Sequence, residues 1–576
     1  MFRRHLTRFF TLAAIIVVSV GFMAGIGEVR NKIEFALSDY YVAQNVSDFI
    51  IKSTNQTGFS ADDLQWAASK FGAENVSAGF CFDTKIDEDV VRIYNLDLDN
   101  QNINKLRLIE GHLPTALNEV VVERKTNAIK SKELDEEVSF MGMNFEVVGI
   151  VENPLLLHKV EEISFLEGET LDNVFYFSNA PFFPIQNDIY VTLENRGLFD
   201  SFDKKYNNEI DRLKQEITLE NVTILTLNEN MGIYSLYSYA EKVGKIAIIF
   251  VLFFLLVAAL VVFSTMTRLL DEERSQIACL KTLGYGSFSI VGKYLIFITV
   301  ATLIGGIVAL GVGIGLTNLL YIAFGMQYSM PPMPASMPYL YYLMTLAIML
   351  VSSLLVTLLT GMKIAKQKPA KLLTPKAPKA GKKVIAEKIP SIWNHLSFKY
   401  KSSIRNVLLF QSRFWMTVIS IIGSTVLVLA GMGLLDCGLK VENADSIIMI
   451  AVALIAFAGL LCALVIYNIA NINISERNRE IATLMVLGYT DREVTFYIFR
   501  EIYITSSIGA VFGVPIGYGF LEFVFGFINF GATADINWWT WILAPVVTML
   551  FTFLATMLLR KKIVKTNMNE SLKTVD

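Results

Sequence analysis

Charged side chains are scarce in this 576-residue sequence: Asp, Glu, Lys and Arg make up 18% of it, against 53% hydrophobic residues. Soluble domains carry about 25% charged residues, so the balance points to a chain that lives largely in lipid. Histidine is scarcer still, at four residues, and none falls within an apolar stretch long enough to cross a membrane. The four cysteines (Cys81, Cys279, Cys437 and Cys462) lie far apart, and only Cys81 sits in the large polar region. Such spacing indicates no disulfide framework, and no His/Cys cluster has the spacing of a zinc site. A phosphate-cradling loop is missing as well. The nearest stretch, Gly286 to Lys293 (GSFSIVGK), has one residue too many between its glycines, and Tyr294 follows the lysine where a P-loop has Ser or Thr. There is no nucleophile elbow, HExxH or paired-His motif. The centres of the apolar stretches hold almost no acidic or basic residues, which argues against proton or sodium coupling. The sequence thus offers neither a catalytic site nor an energy source of its own.

Long apolar runs are what it has in abundance. About 20 apolar residues cross the hydrocarbon core as a helix, and eight stretches qualify: about 9–27, 245–266, 294–324, 339–362, 415–435, 447–470, 502–527 and 538–559. The first follows Arg3, Arg4 and Arg8 and is long for a cleaved signal peptide, so an uncleaved anchor is expected. Segment 363–405 carries Lys363, Lys366, Lys368, Lys371, Lys376, Lys379, Lys382, Lys383, Lys388, Lys399, Lys401 and Arg405 against one acid, Glu387. Cytoplasmic loops retain positive charge, so this segment is expected on the cytoplasmic side of the cell membrane, with both termini cytoplasmic and residues 28–243 extracytoplasmic. Those outer residues hold 37 acidic and 19 basic side chains, so the net charge of −3 hides an acidic region and a basic remainder. Trp538, Trp539 and Trp541 fit an interfacial belt. Met326, Met330, Met333 and Met337 lie in a proline-rich stretch expected to be an apolar loop at the outer interface.

The chain repeats itself. Residues 272–285 read EERSQIACLKTLGY, and residues 476–489 read ERNREIATLMVLGY. They align without gaps, with Glu272/Glu476, Ile277/Ile481, Ala278/Ala482, Leu280/Leu484, Leu283/Leu487, Gly284/Gly488 and Tyr285/Tyr489 identical. Gly305, Gly313 and Gly315 match Gly509, Gly517 and Gly519, and the first and fifth stretches both open on Arg-Phe, at Arg8 and Arg413. The expected fold is therefore an α-helical integral membrane protein with eight transmembrane helices in two four-helix repeats and one α+β extracytoplasmic domain. The boundaries read as a first helix at 1–27, the outer domain at 28–243, helices two to four at 244–362, a basic linker at 363–412, helices five to eight at 413–562, and a tail at 563–576.

Within the outer region, Ser60-Ala-Asp-Asp63 is a capping box for a helix to about Phe71. Strands are expected at 120–122, 138–140 with 145–151 as a hairpin, 174–178, 188–193 and 222–227, and a charged helix at about 198–217. Residues 230–245 read as a helix running on into the second crossing.

Each repeated segment pairs charged residues (Glu272, Arg274 and Lys281; Glu476, Arg477, Arg479 and Glu480) with apolar ones at helical spacing. The reading is a short amphipathic helix closed at Gly284 or Gly488, where a left-handed cap suits glycine. Duplicated detail favours a docking element for an energy-supplying partner over an ordinary helix tip lying on lipid headgroups. Gly311-x-x-x-Gly315 and the run Gly509, Gly513, Gly517 are expected to let helix backbones approach closely, within the chain.

The pattern R-x-x-[EQ]-I-A-x-L-[KM]-x-L-G-Y after an apolar helix resembles the FtsX-like permease family of ABC transporters, which includes macrolide-exporter and lipoprotein-release permeases. It is matched by Arg477–Tyr489 with Glu480, and by Arg274–Tyr285 with Gln276 in place of the acid and the arginine one residue out of step. Glu110-Gly-His-Leu-Pro114, Asn118–Val122 and Phe145–Val151 resemble the family's extracytoplasmic core domain. The resemblance implies a non-catalytic subunit with no cofactor of its own, ATP and magnesium being held by a separate cytoplasmic P-loop ATPase. It implies coupling segments at about 268–290 and 472–494 comprising Glu272, Arg274, Ile277, Ala278, Leu280, Gly284, Tyr285, Glu476, Arg477, Arg479, Glu480, Ile481, Ala482, Leu484, Gly488 and Tyr489. One chain supplying both segments implies two ATPase copies per permease. Membrane lipids, and an amphipathic substrate or an extracellular protein, are the other expected partners; nucleic acid is not. Two alternatives stand beside export: an ATP-driven signalling device that activates an extracellular partner such as a cell-wall hydrolase, and an ATP-independent carrier.

Overall fold

The computed structural model describes residues 5–159, 162–194, 196, 203–333, 340–373, 401, 404–405, 411–441 and 444–564. Most of the basic linker, the C-terminal tail, Met337 and the start of the charged helix expected at 198–217 lie outside the described residues. The chain forms two compact units: residues 1–29, 242–320 and 338–576, and residues 30–241 with 321–337.

In the first unit, and among the described residues, eight helices are long and apolar enough to cross a membrane. Lipid offers the backbone no hydrogen-bond partners, so apolar runs of this length satisfy their own N–H and C=O groups as helices. These are α1 (Leu6–Ala43), α4 (Met231–Glu272), α6 (Ser287–Phe324), α7 (Leu340–Ala365), α9 (Gln411–Gly438), α10 (Asp445–Glu476), α12 (Asp491–Ile528) and α13 (Trp538–Val564). Short helices α5 (Arg274–Thr282) and α11 (Asn478–Val486) follow α4 and α10, and α8 (Pro369–Leu373) follows α7. At 1.5 Å per residue the 42 residues of α4 span about 63 Å, roughly twice a hydrocarbon core of about 30 Å. Helices α1, α4 and α6 all pass from one unit into the other without a break.

Close helix contact within this unit rests on small residues. A Cβ built on Gly509, Gly513 or Gly517 of α12 would stand 2.7, 2.8 and 2.6 Å from Ile421, Thr425 and Leu429 of α9. Helix α6 meets α1 in the matching way: a Cβ on Gly305 would lie 2.8 Å from the Ala13 carbonyl, and one on Gly313 would lie 3.1 Å from Ala24. This corrects one expectation. Gly311 and Gly315 have nothing within 4 Å of a built Cβ. They lie two residues from the packed stripe, a rotation of about 200° on a helix of 3.6 residues per turn. Phe22 of α1 stacks on Phe254 of α4 at 4.4 Å and, across to the second half, tilts on Phe457 of α10 at 5.4 Å. Asn468 of α10 donates to Thr265 of α4 at 2.8 Å and accepts from Thr11 of α1 at 3.3 Å.

The second unit is an α/β domain. Its strands are β1 (Phe49–Ser53), β2 (Val76–Ile86), β3 (Asp89–Leu96), β4 (Arg107–Gly111), β5 (Glu119–Glu123), β6 (Glu137–Phe140), β7 (Met143–Glu152), β8 (Asn173–Ser178), β9 (Asp188–Val191) and β10 (Val222–Thr226). They join in the order β10-β1-β9-β2-β3-β8-β5-β7-β4, with β6 added to β7. Pairs β3/β8 and β5/β7 are parallel, and the others are antiparallel. Helix α2 (Ala61–Phe71) carries the capping box, Ser60 Oγ accepting from the Asp63 amide. With α3 (Lys204–Gln215) it covers a core of Phe49, Ile51, Ala67, Ile189, Tyr206 and Ile210. A second core collects Phe145, Phe175, Phe177 and Phe183 with alternate valines of β3, β5 and β7. The methionine-rich segment belongs to this unit: Tyr328 bridges His158, Ser329 donates to the Leu157 carbonyl at 2.7 Å, and Lys159 donates to the Gln327 carbonyl at 2.8 Å.

Candidate functional site

The repeated segments form two short helices, α5 and α11, each entered by a break after a long helix and closed by the same cap. In the first, the Tyr285 amide donates to the Leu280 carbonyl at 3.1 Å and the Gly284 amide to the Lys281 carbonyl at 3.2 Å. In the second, Tyr489 donates to Leu484 at 3.1 Å and Gly488 to Met485 at 3.1 Å. These paired bonds are the Schellman arrangement, which satisfies the last free carbonyls of a helix. It needs a left-handed residue, and Gly284 and Gly488 have φ of +92° and +89°. The spacing Leu-x-x-Leu-Gly-Tyr is thus the cap written in sequence.

One face of each helix is anchored. Ile277 and Ala278, and Ile481 and Ala482, are buried. Ile481 sits in a core with Ile474, Met485, Val494, Ile498 and Leu559. These four residues, expected among the coupling contacts, are enclosed by their own chain and seat the helices. Leu280 and Leu484 are half-buried. The opposite face and tip are open: Leu283 is 74% exposed, Leu487 70%, Tyr285 56% and Tyr489 50%. Leu283 and Leu487 complete the presented surface, and only burial separates them from the other leucines of the motif.

Electrostatic anchors sit at the entry of each helix, with opposite signs. In the first, Glu273 accepts from His5 Nε2 at 3.0 Å, Lys293 Nζ at 2.8 Å and the Tyr294 hydroxyl at 2.6 Å. Burial alone would raise the Glu273 pKa, but these three donors outweigh it and hold the carboxyl well below its ordinary value. Neighbouring Glu272 takes a two-pronged bond from Arg8 at 2.7 and 2.5 Å. Lys281 donates to the carbonyls of Ala365 and Gln367, each at 2.6 Å, tying α5 to the end of α7. In the second, the position of Glu273 is held by Arg477, which pairs with Glu501 at 2.6–2.7 Å and lies 3.9 Å from Glu480. The residue matching Lys281 is the buried Met485, so apolar packing does there what hydrogen bonds do in the first copy.

The two arginines of the motif are therefore not equivalent. Arg477 is a half-buried, ion-paired anchor, whereas Arg274 donates to the Lys371 carbonyl at 3.2 Å on the exposed side. The side chains of Arg413, Glu476 and Arg479 lie outside the described residues. Glu273 and Glu501, and the partners His5, Lys293 and Tyr294, were missed from sequence; the latter three are separated from the motif along the chain. Among the described residues, no group of three His, Cys, Asp or Glu side chains could hold a metal ion.

Two stretches of the chain, residues 248–369 and 452–568, match the FtsX-like permease C-terminal family model. A search of curated proteins finds no match. The matched stretches contain both short capped helices, the long helices that follow them and most of the long helices that precede them. Members of this family are in general non-catalytic permease subunits of ABC transporters that work with cytoplasmic ATPase subunits. With eight membrane-length helices and these two matches, the chain belongs to the FtsX-like permease family and is a multi-pass membrane protein.

Proposed function

We propose that α5 and α11 are coupling helices, through which a P-loop ATPase that binds ATP and magnesium drives this permease. The observation that carries the reading is the twice-built tip: a Schellman cap that fixes a short helix on a buried Ile-Ala face and leaves Leu283-Gly-Tyr285 and Leu487-Gly-Tyr489 exposed. A large apolar residue and an aromatic on a rigid support are what a docking pocket binds well. In this reading both tips and both termini face the cytoplasm, the two halves are pseudo-equivalent four-helix repeats, and one permease binds two ATPases. The α/β domain lies on the outer face, and the unbroken helices α1 and α4 carry motion to it, so export and mechanotransmission are both served. The opposite anchor charges of Glu273 and Arg477 make the two docking sites distinguishable to the same partner.

The test is co-purification with the ATPase and native mass spectrometry. A complex of one permease and two ATPases is expected, and a 2:2 complex contradicts the proposal. Leu283→Asp with Leu487→Asp should abolish permease-stimulated ATP hydrolysis while the permease still inserts and folds. Full activity in liposomes without any ATPase would favour the ATP-independent carrier.

A further inference from the structure

The α/β domain holds a partly open cavity of about 250 Å³ between strands β1, β3 and β9, Leu155 and Leu156, and residues 162–165 and 225–231. Its polar wall holds two cations, and both are already matched. Lys52 pairs with Asp188 at 2.8–3.0 Å, and Arg92 makes a two-pronged bond to Asp83 at 2.7 and 2.9 Å. Arg92 also donates to the Ile163 carbonyl at 3.1 Å. The Phe165 ring lies over both cations, 4.0 Å from the Arg92 guanidinium and 4.6 Å from the Lys52 ammonium. Asp83 is further occupied by the Ser164 hydroxyl at 2.8 Å and the Phe165 amide at 2.6 Å.

Two other polar atoms on the same wall are buried and have no hydrogen-bond partner among the described residues: Glu162 Oε2 and Ser47 Oγ. Glu162 is 8% exposed and Ser47 1%. An unmatched carboxylate in such a place is costly, and native chains seldom keep one without a use. Burial, reinforced by Asp83 and opposed by Arg92, pushes the Glu162 carboxyl up to about 7. The rest of the wall mixes Leu155, Leu156, Leu225, Leu227 and Met231 with Thr226, Asn230 and Glu229, and Glu229 is already held by Lys214 at 3.2 Å and the Thr226 amide at 2.8 Å. A single water needs only about 10–15 Å³ of such space, so the cavity has room for a larger guest.

We infer that this cavity binds a small amphipathic cation, its ammonium on Glu162, a polar contact on Ser47 and its apolar body against the leucines and Phe165. The charge balance makes the choice. With Lys52 and Arg92 neutralised by Asp188 and Asp83, the surplus is negative, and the missing partner is a donor. An anion would meet two cations that are already engaged, and a purely apolar guest would leave Glu162 unmatched. This gives the domain a binding activity of its own, independent of how the membrane unit is driven.

Full-length protein in nanodiscs, titrated calorimetrically with phenethylammonium against empty nanodiscs, tests the inference. One saturable site per chain is expected, with phenylacetate and 2-phenylethanol bound at least tenfold more weakly. Glu162→Gln should weaken phenethylammonium at least tenfold without lowering the thermal unfolding temperature, because it removes an unmatched charge. Ile50→Trp, which fills the cavity from its rim, should abolish binding. Absence of saturable binding, affinity unchanged by Glu162→Gln, or equal binding of the acid or the alcohol would overturn the inference.

Discussion

Replacing Gly488 by alanine isolates the backbone term of the proposed coupling tip. A Cβ at this position would meet nothing within 4 Å, so no steric clash contributes. What remains is the cost of holding an L-residue at φ +89°, about 1–2 kcal/mol. That cost falls on the cap: the amides of Gly488 and Tyr489 release the Met485 and Leu484 carbonyls more often, by a factor of about 5–30. Gly284, at φ +92° and equally open, should respond alike. Gly519 supplies the control. It is just as open to a Cβ but lies inside α12 without a positive φ, so alanine there should stabilise by roughly 0.5–1 kcal/mol. Amide hydrogen exchange of the protein in nanodiscs reads all three variants. Faster exchange confined to 484–490 in Gly488→Ala and to 280–286 in Gly284→Ala is expected, with the α/β domain unaffected. Equal effects at Gly488 and Gly519, or global loosening, would refute the assignment of these glycines to a helix cap.

Gly513→Ala should destabilise, since its Cβ would come within 2.8 Å of Thr425, whereas Gly311→Ala should be neutral; thermal unfolding in detergent separates them. Arg477→Ala leaves Glu501 buried without its main partner and should cost up to about 3–5 kcal/mol. A double-mutant cycle with Glu501→Gln should recover much of that loss. Glu123, enclosed in the α/β domain with the Tyr176 hydroxyl at 2.6 Å, is pushed by burial up to about 8. Because its folded pKa lies above the unfolded value near 4.5, the folded state holds its proton longer, so stability should fall as pH rises from about 4.5 to about 8. Glu123→Gln should flatten that decline in melting temperature; an unchanged slope would remove Glu123 as its source.

Hydropathy made the eight long helices legible, because lipid leaves an apolar run no other structure. Their ends were less legible. Helix α1 continues to Ala43 through Arg30, Lys32 and Asp39, charges that end an apolar run without ending a helix. Strands β5 to β10 announced themselves by β-branched runs and turn residues. Strands β1 to β4 did not: β2 mixes Ser, Gly, Asp and Lys, and its place depends on pairing with β3 and β9. The bond from Ser329 to Leu157 joins segments far apart in sequence, so the membership of 321–337 in the domain had no local signal. In the short helices, spacing marked the cap because it is local. The division of Ile277-Ala278 from Leu283 into seat and tip depends on what packs beneath, as do the anchors Glu273 and Glu501.

The most direct test of the coupling role places a photo-crosslinking residue at Leu283 or Leu487, with the lipid-length helix position Leu355 as control. A covalent adduct with a P-loop ATPase is expected at both tips, altered by ATP, and absent at Leu355. Adducts to lipid alone at the tips, with ATP-driven function intact, would contradict it.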